Sequence, residues 1–96
     1  MKKEQLDGKF IICRTKDEVE FIVYWIKKLF DYDFRYYMID DSPICIRTKT
    51  YHDDHFGYSD PGDYENDPGS WGFVEEEECS VLFGNLVKRW IKNGRT

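Results

Sequence analysis

The sequence predicts an α+β fold: a two-layer sandwich with the order β-α-β-β-loop-β-α, in which two helices cover a mainly antiparallel sheet. Three observations predict it. Short runs rich in β-branched and aromatic residues occur around Phe10, Ile44 and Trp71. Two longer stretches, 19–30 and 81–91, repeat apolar residues at helical spacing. Glycine, proline and aspartate cluster between these runs, where turns are needed.

Residues 9–14 read as the first strand, because Phe10, Ile11 and Ile12 are strong β-formers and Gly8 breaks the chain ahead of them. The period then changes. Thr15-Lys16-Asp17-Glu18 is a capping box: the Thr15 hydroxyl can accept from the Glu18 N–H while the Glu18 carboxylate reaches back. The helix it opens carries Val19, Ile22, Val23, Ile26, Leu29 and Phe30 on one stripe, with Lys27 and Lys28 at the negative end of its dipole. Phe21 and Trp25 fall off that stripe, four residues apart. The simpler reading is a broad buried face; the alternative is a second apolar patch that would serve self-association into a homodimer.

Residues 34–39 and 44–50 are both strand-like, and Asp40-Asp41-Ser42-Pro43 between them has turn chemistry, so a hairpin is expected. Ile44, Ile46, Thr48 and Thr50 alternate with Cys45, Arg47 and Lys49, the pattern of a sheet with one wet face. Residues 51–70 keep no period and are broken by Gly57, Pro61, Gly62, Pro68 and Gly69, which predicts a loop. Residues 71–76 form a further strand at an edge. The last helix follows Glu76 to Glu78, starts at Ser80 or within the glutamates, and stops at Asn93-Gly94. Gly84 inside it costs about 1 kcal/mol relative to alanine, a cost that close helix packing would explain.

A chain of 96 residues makes one domain, residues 1–96, and its 41% hydrophobic and 18% aromatic content is that of a globular protein. No apolar run reaches the roughly 20 residues that cross a bilayer, and no signal-peptide apolar region follows residues 1–5, so a cytoplasmic protein without membrane contact is expected. Cys13, Cys45 and Cys79 are far apart and form no CxxC pair; they read as reduced structural thiols.

The net charge of −5 conceals a division. Residues 51–78 hold ten acids and no lysine or arginine, whereas the rest of the chain holds nine acids against fourteen bases. The acidic segment repels nucleic acid and anionic membrane and attracts basic protein surfaces, so direct nucleic-acid binding is not expected. Aromatic residues interleave with its acids, and aromatics with carboxylates are the anchors and charge partners of a protein interface. The candidate partner-binding residues are Asp53, Asp54, Tyr58, Asp60, Asp63, Tyr64, Glu65, Asp67, Trp71, Glu75 and Glu76.

Catalytic chemistry finds little support. His52-Asp53-Asp54-His55 is the arrangement closest to a metal site, and it would need two further ligands from elsewhere. A small metal-binding module or metal-dependent enzyme centred on His52 and His55 is therefore the alternative. Residues 63–67 begin like a calcium loop, but Pro68 stands where that loop needs glycine and Val74 where it needs a carboxylate. No phosphate-cradling or nucleophile-elbow motif occurs. The expectation is a non-enzyme without cofactor or metal.

Cys13-Arg14-Thr15-Lys16-Asp17-Glu18, with Trp25 in the helix that follows, resembles small bacteriophage-encoded accessory proteins, in which a short strand runs through a polar Thr-x-x-Glu box into an amphipathic helix. The resemblance covers residues 10–25. It implies an anti-defence inhibitor, such as an anti-CRISPR protein, some of which mimic nucleic acid; it assigns no functional residue. The resulting expectation is a small acidic inhibitor that blocks a basic, nucleic-acid-binding surface of a defence protein such as a CRISPR effector.

Overall fold

The structure is a computed structural model that describes residues 1–33, 43–48, 57–59 and 76–95. A turn of 3-10 helix at Lys3–Gln5 leads into β1, Phe10–Cys13; then come α1, Lys16–Phe30; β2, Ile44–Arg47; β3, Gly57–Ser59; β4, Glu76–Glu78; and α2, Cys79–Lys92. The strands form one mixed sheet in the order β3-β2-β1-β4. β1 pairs antiparallel with β2, β2 antiparallel with β3, and β1 parallel with β4. Two helices on such a sheet make the fold α+β.

α1 starts where its capping box stands. The Thr15 hydroxyl accepts from the Glu18 N–H at 3.2 Å, and the buried Glu18 carboxylate accepts from the N–H groups of Thr15 at 3.1 Å and Arg14 at 3.0 Å. The helix ends at Asp31, held in the left-handed region with φ 55° while its N–H donates to the Lys27 carbonyl. α2 begins at Cys79 with Glu78 as N-cap, at the last of the glutamates. Asn93 is its C-cap, and Gly94 follows at φ 77°, a conformation that glycine adopts without strain.

The main core lies between sheet and helices: Ile11, Cys13, Ile44 and Ile46 on the sheet meet Val19, Phe21, Ile22 and Ile26 of α1 and Phe83, Val87 and Trp90 of α2. Of the two residues off the α1 stripe, Phe21 is buried in this core and Trp25 is half-buried against it. Phe21 is buried and its ring sits 6.0 Å from Phe83 and 5.6 Å from Trp90, centroid to centroid. The two helices pack on each other through it, which widens the buried face of α1 beyond one stripe.

Three further expectations change. The sheet has no wet face at Cys45, because Phe10, Ile12 and Cys45 form a second buried cluster on the side away from the main core. Residues 51–70 are not wholly loop: β3 lies within them, and three residues are too few for an alternation to register. The Arg47 guanidinium lies close over Gly57, where an added Cβ would displace it. Gly84 makes no close packing, as a Cβ added to it would meet nothing within 4 Å among the described residues. The expected strand at 34–39 lies outside the described residues, and both edges of β2 are already taken by β1 and β3.

Thr48, just past β2, is buried and fastens the N-terminal turn. Its hydroxyl donates to the Leu6 carbonyl at 2.5 Å and accepts from the Lys9 N–H at 2.7 Å, while its own N–H donates to the Lys9 carbonyl at 2.9 Å.

Candidate functional site

The acidic segment contributes two strands to the sheet, β3 from within it and β4 at its C-terminal end. β3 is one edge strand and β4 is the other, so the chain between residues 59 and 76 starts at one rim and finishes at the far one. Three consecutive glutamates are poor strand formers. They pair in parallel with β1, which is bracketed by cations: Lys9 Nζ lies 3.1 Å from Glu77, and Arg14 makes a bidentate contact with Glu78 at 2.5 and 2.9 Å. The Arg14 hydrogen bonds keep the Glu78 carboxyl below the usual glutamate range. These pairs are partly exposed and contribute little each.

Glu76 shares its sheet face with Phe10 and Arg47 through the register Phe10↔Glu76 and Phe10↔Arg47. Burial pulls Arg47 below its ordinary pKa, and burial together with the Glu76 charge pushes the Cys45 thiol up to about 12. Cys13 is pushed up as well, by its hydrogen bond with Cys79 and by burial. All three cysteines are buried free thiols.

Of the sequence candidates, Glu76 lies in β4 and the Tyr58 backbone lies in β3, paired with Ile46. These two stand at opposite edges of the sheet. Asp53, Asp54, Asp60, Asp63, Tyr64, Glu65, Asp67, Trp71 and Glu75 lie outside the described residues, as do His52 and His55. Among the described residues no group of three His, Cys, Asp or Glu is arranged to hold a metal ion, and no helix is long and apolar enough to cross a membrane.

Sequence reasoning missed a second region, on the helix layer. An open groove of about 610 Å³ runs between α1 and the last turn of α2, lined by Glu20, Val23, Tyr24, Lys27, Lys28, Asp33, Trp90 and Arg95. Tyr24 and Trp90 meet at 5.5 Å between centroids. Cations lie over the rings: Lys28 over Tyr24 and Trp25 at 5.5 and 5.4 Å, and Arg95 over Trp90 at 5.1 Å. The indole N–H groups of Trp25 and Trp90 are buried without an acceptor among the described residues, so these rings contribute area and ring faces rather than polar contacts. The available signal was the i, i+3, i+7 run of Asp17, Glu20 and Tyr24 beside the core stripe. The partner that makes it a site, Arg95, is distant in sequence.

No family model, curated protein or solved structure matches the chain. The fold therefore defines its class by itself: a small α+β protein whose acidic segment contributes β3 and β4 to the sheet.

Proposed function

We propose that the protein is a non-enzymatic, acidic binding protein, phage-encoded, that inhibits a larger defence protein by occupying its basic, nucleic-acid-binding surface, of the kind a CRISPR effector presents. The observation that supports this reading is that the acidic segment contributes β3 and β4, which stand at opposite edges of one sheet among the described strands. A charged segment tethered at two rigid points loses less freedom on binding than a free tail, so more of its electrostatic attraction is left as affinity. Glu77 and Glu78 are engaged by Lys9 and Arg14 within the chain. The acids and aromatics from Asp53 to Glu76 are the ones assigned to the partner, with carboxylates facing arginine and lysine, and Tyr58, Tyr64 and Trp71 as anchors.

The test is competition. A purified, guide-loaded CRISPR effector is mixed with labelled target DNA and increasing protein, and the fraction of DNA bound is followed at low and high salt. Displacement that weakens as salt rises is expected. Reversing Asp60, Asp63, Glu65 and Asp67 to lysine should abolish it, while the main core and α1, built from other residues, hold the fold. Equal competition by wild type and the lysine variant would reject the acidic-surface mechanism, and an effector that binds the protein and its DNA together would reject mimicry of nucleic acid.

A further inference from the structure

The helix layer carries a contact that the proposed function does not use. Past the end of α2, Gly94 and Arg95 both take positive φ, 77° and 66°. For Arg95 this is a sparsely populated conformation, which persists where surrounding contacts hold it. The Arg95 N–H donates to the Trp90 carbonyl at 2.7 Å, turning the side chain back along α2 towards the first turns of α1. There one guanidinium nitrogen, Nη2, donates to Asp17 and the other, Nη1, to Glu20, while the central carbon lies over the Trp90 ring, 5.1 Å from the centroid.

The three partners suit a guanidinium. Asp17 and Glu20 are three residues apart on α1 and so share one face, near the end of the helix whose dipole favours carboxylates. Two separate carboxylates are met by two nitrogens of one planar fork whose central carbon lies over an indole; an ammonium, a point charge on a flexible stem, lacks that pre-organised fork. Two other cations line the adjoining groove, and both are engaged: Lys27 by Asp31 and Asp33, Lys28 by the rings of Tyr24 and Trp25. Asp17 and Glu20 are paired with Arg95.

The contact is also displaceable. The side chains of Arg95, Asp17 and Glu20 remain 41, 48 and 32% exposed, and pairs so open to water are weak and exchange readily. Beside them the groove of about 610 Å³, within the range of ligand-binding clefts, has room for the chain that carries an incoming side chain.

We propose that Asp17, Glu20 and Trp90 form an arginine-binding site on the helix layer, which the chain's own Arg95 fills and from which an arginine side chain of another protein displaces it. The occupant is arginine rather than lysine, and the site belongs to α1 and α2 rather than to residues 51–78, so it stands or falls independently of the acidic-segment reading.

Arg95→Ala empties the site, and N-acetyl-arginine amide is the probe, titrated by tryptophan fluorescence and by the shift of the Trp90 indole N–H resonance. The variant should bind the probe at least about tenfold more tightly than the wild type does, and by a similar factor more tightly than it binds N-acetyl-lysine amide. Adding Asp17→Asn and Glu20→Gln to Arg95→Ala should abolish the difference. Should Arg95→Ala fail to fold, Arg95→Gln keeps the stem and serves as the emptied form. Equal binding by wild type and emptied protein, no selectivity over lysine, or retention of binding without the two carboxylates would each overturn the site.

Discussion

Glu18 is the residue on which the start of α1 turns, and its removal gives a sharp test of the architecture. Its carboxylate accepts from two backbone N–H groups, those of Thr15 and Arg14, and lies 3.3 Å from the Thr15 hydroxyl, which in turn accepts from the Glu18 N–H. Replacing Glu18 by alanine leaves both backbone donors without their acceptor. Loss of a cap costs about 1 kcal/mol, and a donor stranded in a partly buried place about 1–3 kcal/mol. Arg14 and Thr15 are exposed, so water replaces part of what is lost and the net expectation is about 2 kcal/mol. For a chain of this size that lowers Tm by about 8–16 °C. Glu18→Gln keeps an acceptor oxygen and should lose about half as much, while Thr15→Val removes the reciprocal bond for about 1 kcal/mol. Because the two side chains act as one unit, the double variant should lose less than the sum of the single losses, by about 0.5 kcal/mol or more. Urea melts of the four proteins, with m-values checked for constancy, measure this cycle. Strict additivity, or a loss under about 0.5 kcal/mol for Glu18→Ala, would refute the reciprocal cap.

Two further outcomes follow from single contacts. Gly84 stands mid-helix in α2 with nothing within 4 Å of an added Cβ, so Gly84→Ala should stabilise the protein by up to about 1 kcal/mol in thermal melts; destabilisation would mean that the glycine is used for a close contact. Glu78 has its pKa depressed by Arg14, so the stability it contributes is present above the unfolded glutamate pKa and is lost as pH falls through the lower folded value. Arg14→Ala should therefore flatten the acid limb of the stability profile below about pH 5, and an unchanged limb would remove the pair from the account.

Local chemistry was legible in the chain, and pairing was not. The capping box, the α1 stripe, the Asn93-Gly94 stop and the strands at Phe10 and Ile44 depend on residues within about four positions of each other, and so can be read directly from neighbours. The charge division is legible for the same reason, since it needs only counting. Of the candidate partner-binding residues, Glu76 and the Tyr58 backbone are placed by the described residues, at opposite edges of the sheet. Their separation could not have been inferred from a segment without period.

Composition and periodicity by themselves determined that this chain makes an α+β domain whose apolar surface must be covered by two amphipathic helices. Only the tertiary structure decided that β4 returns beside β1 in parallel and β3 closes the other edge, that Phe21 joins helix to helix instead of facing outward, and that Arg95 reaches Asp17, 78 residues away. The physical reason is that these contacts arise when distant segments bury area and neutralise charge against each other. Such gains belong to the assembled core and leave no trace in the spacing of any one segment.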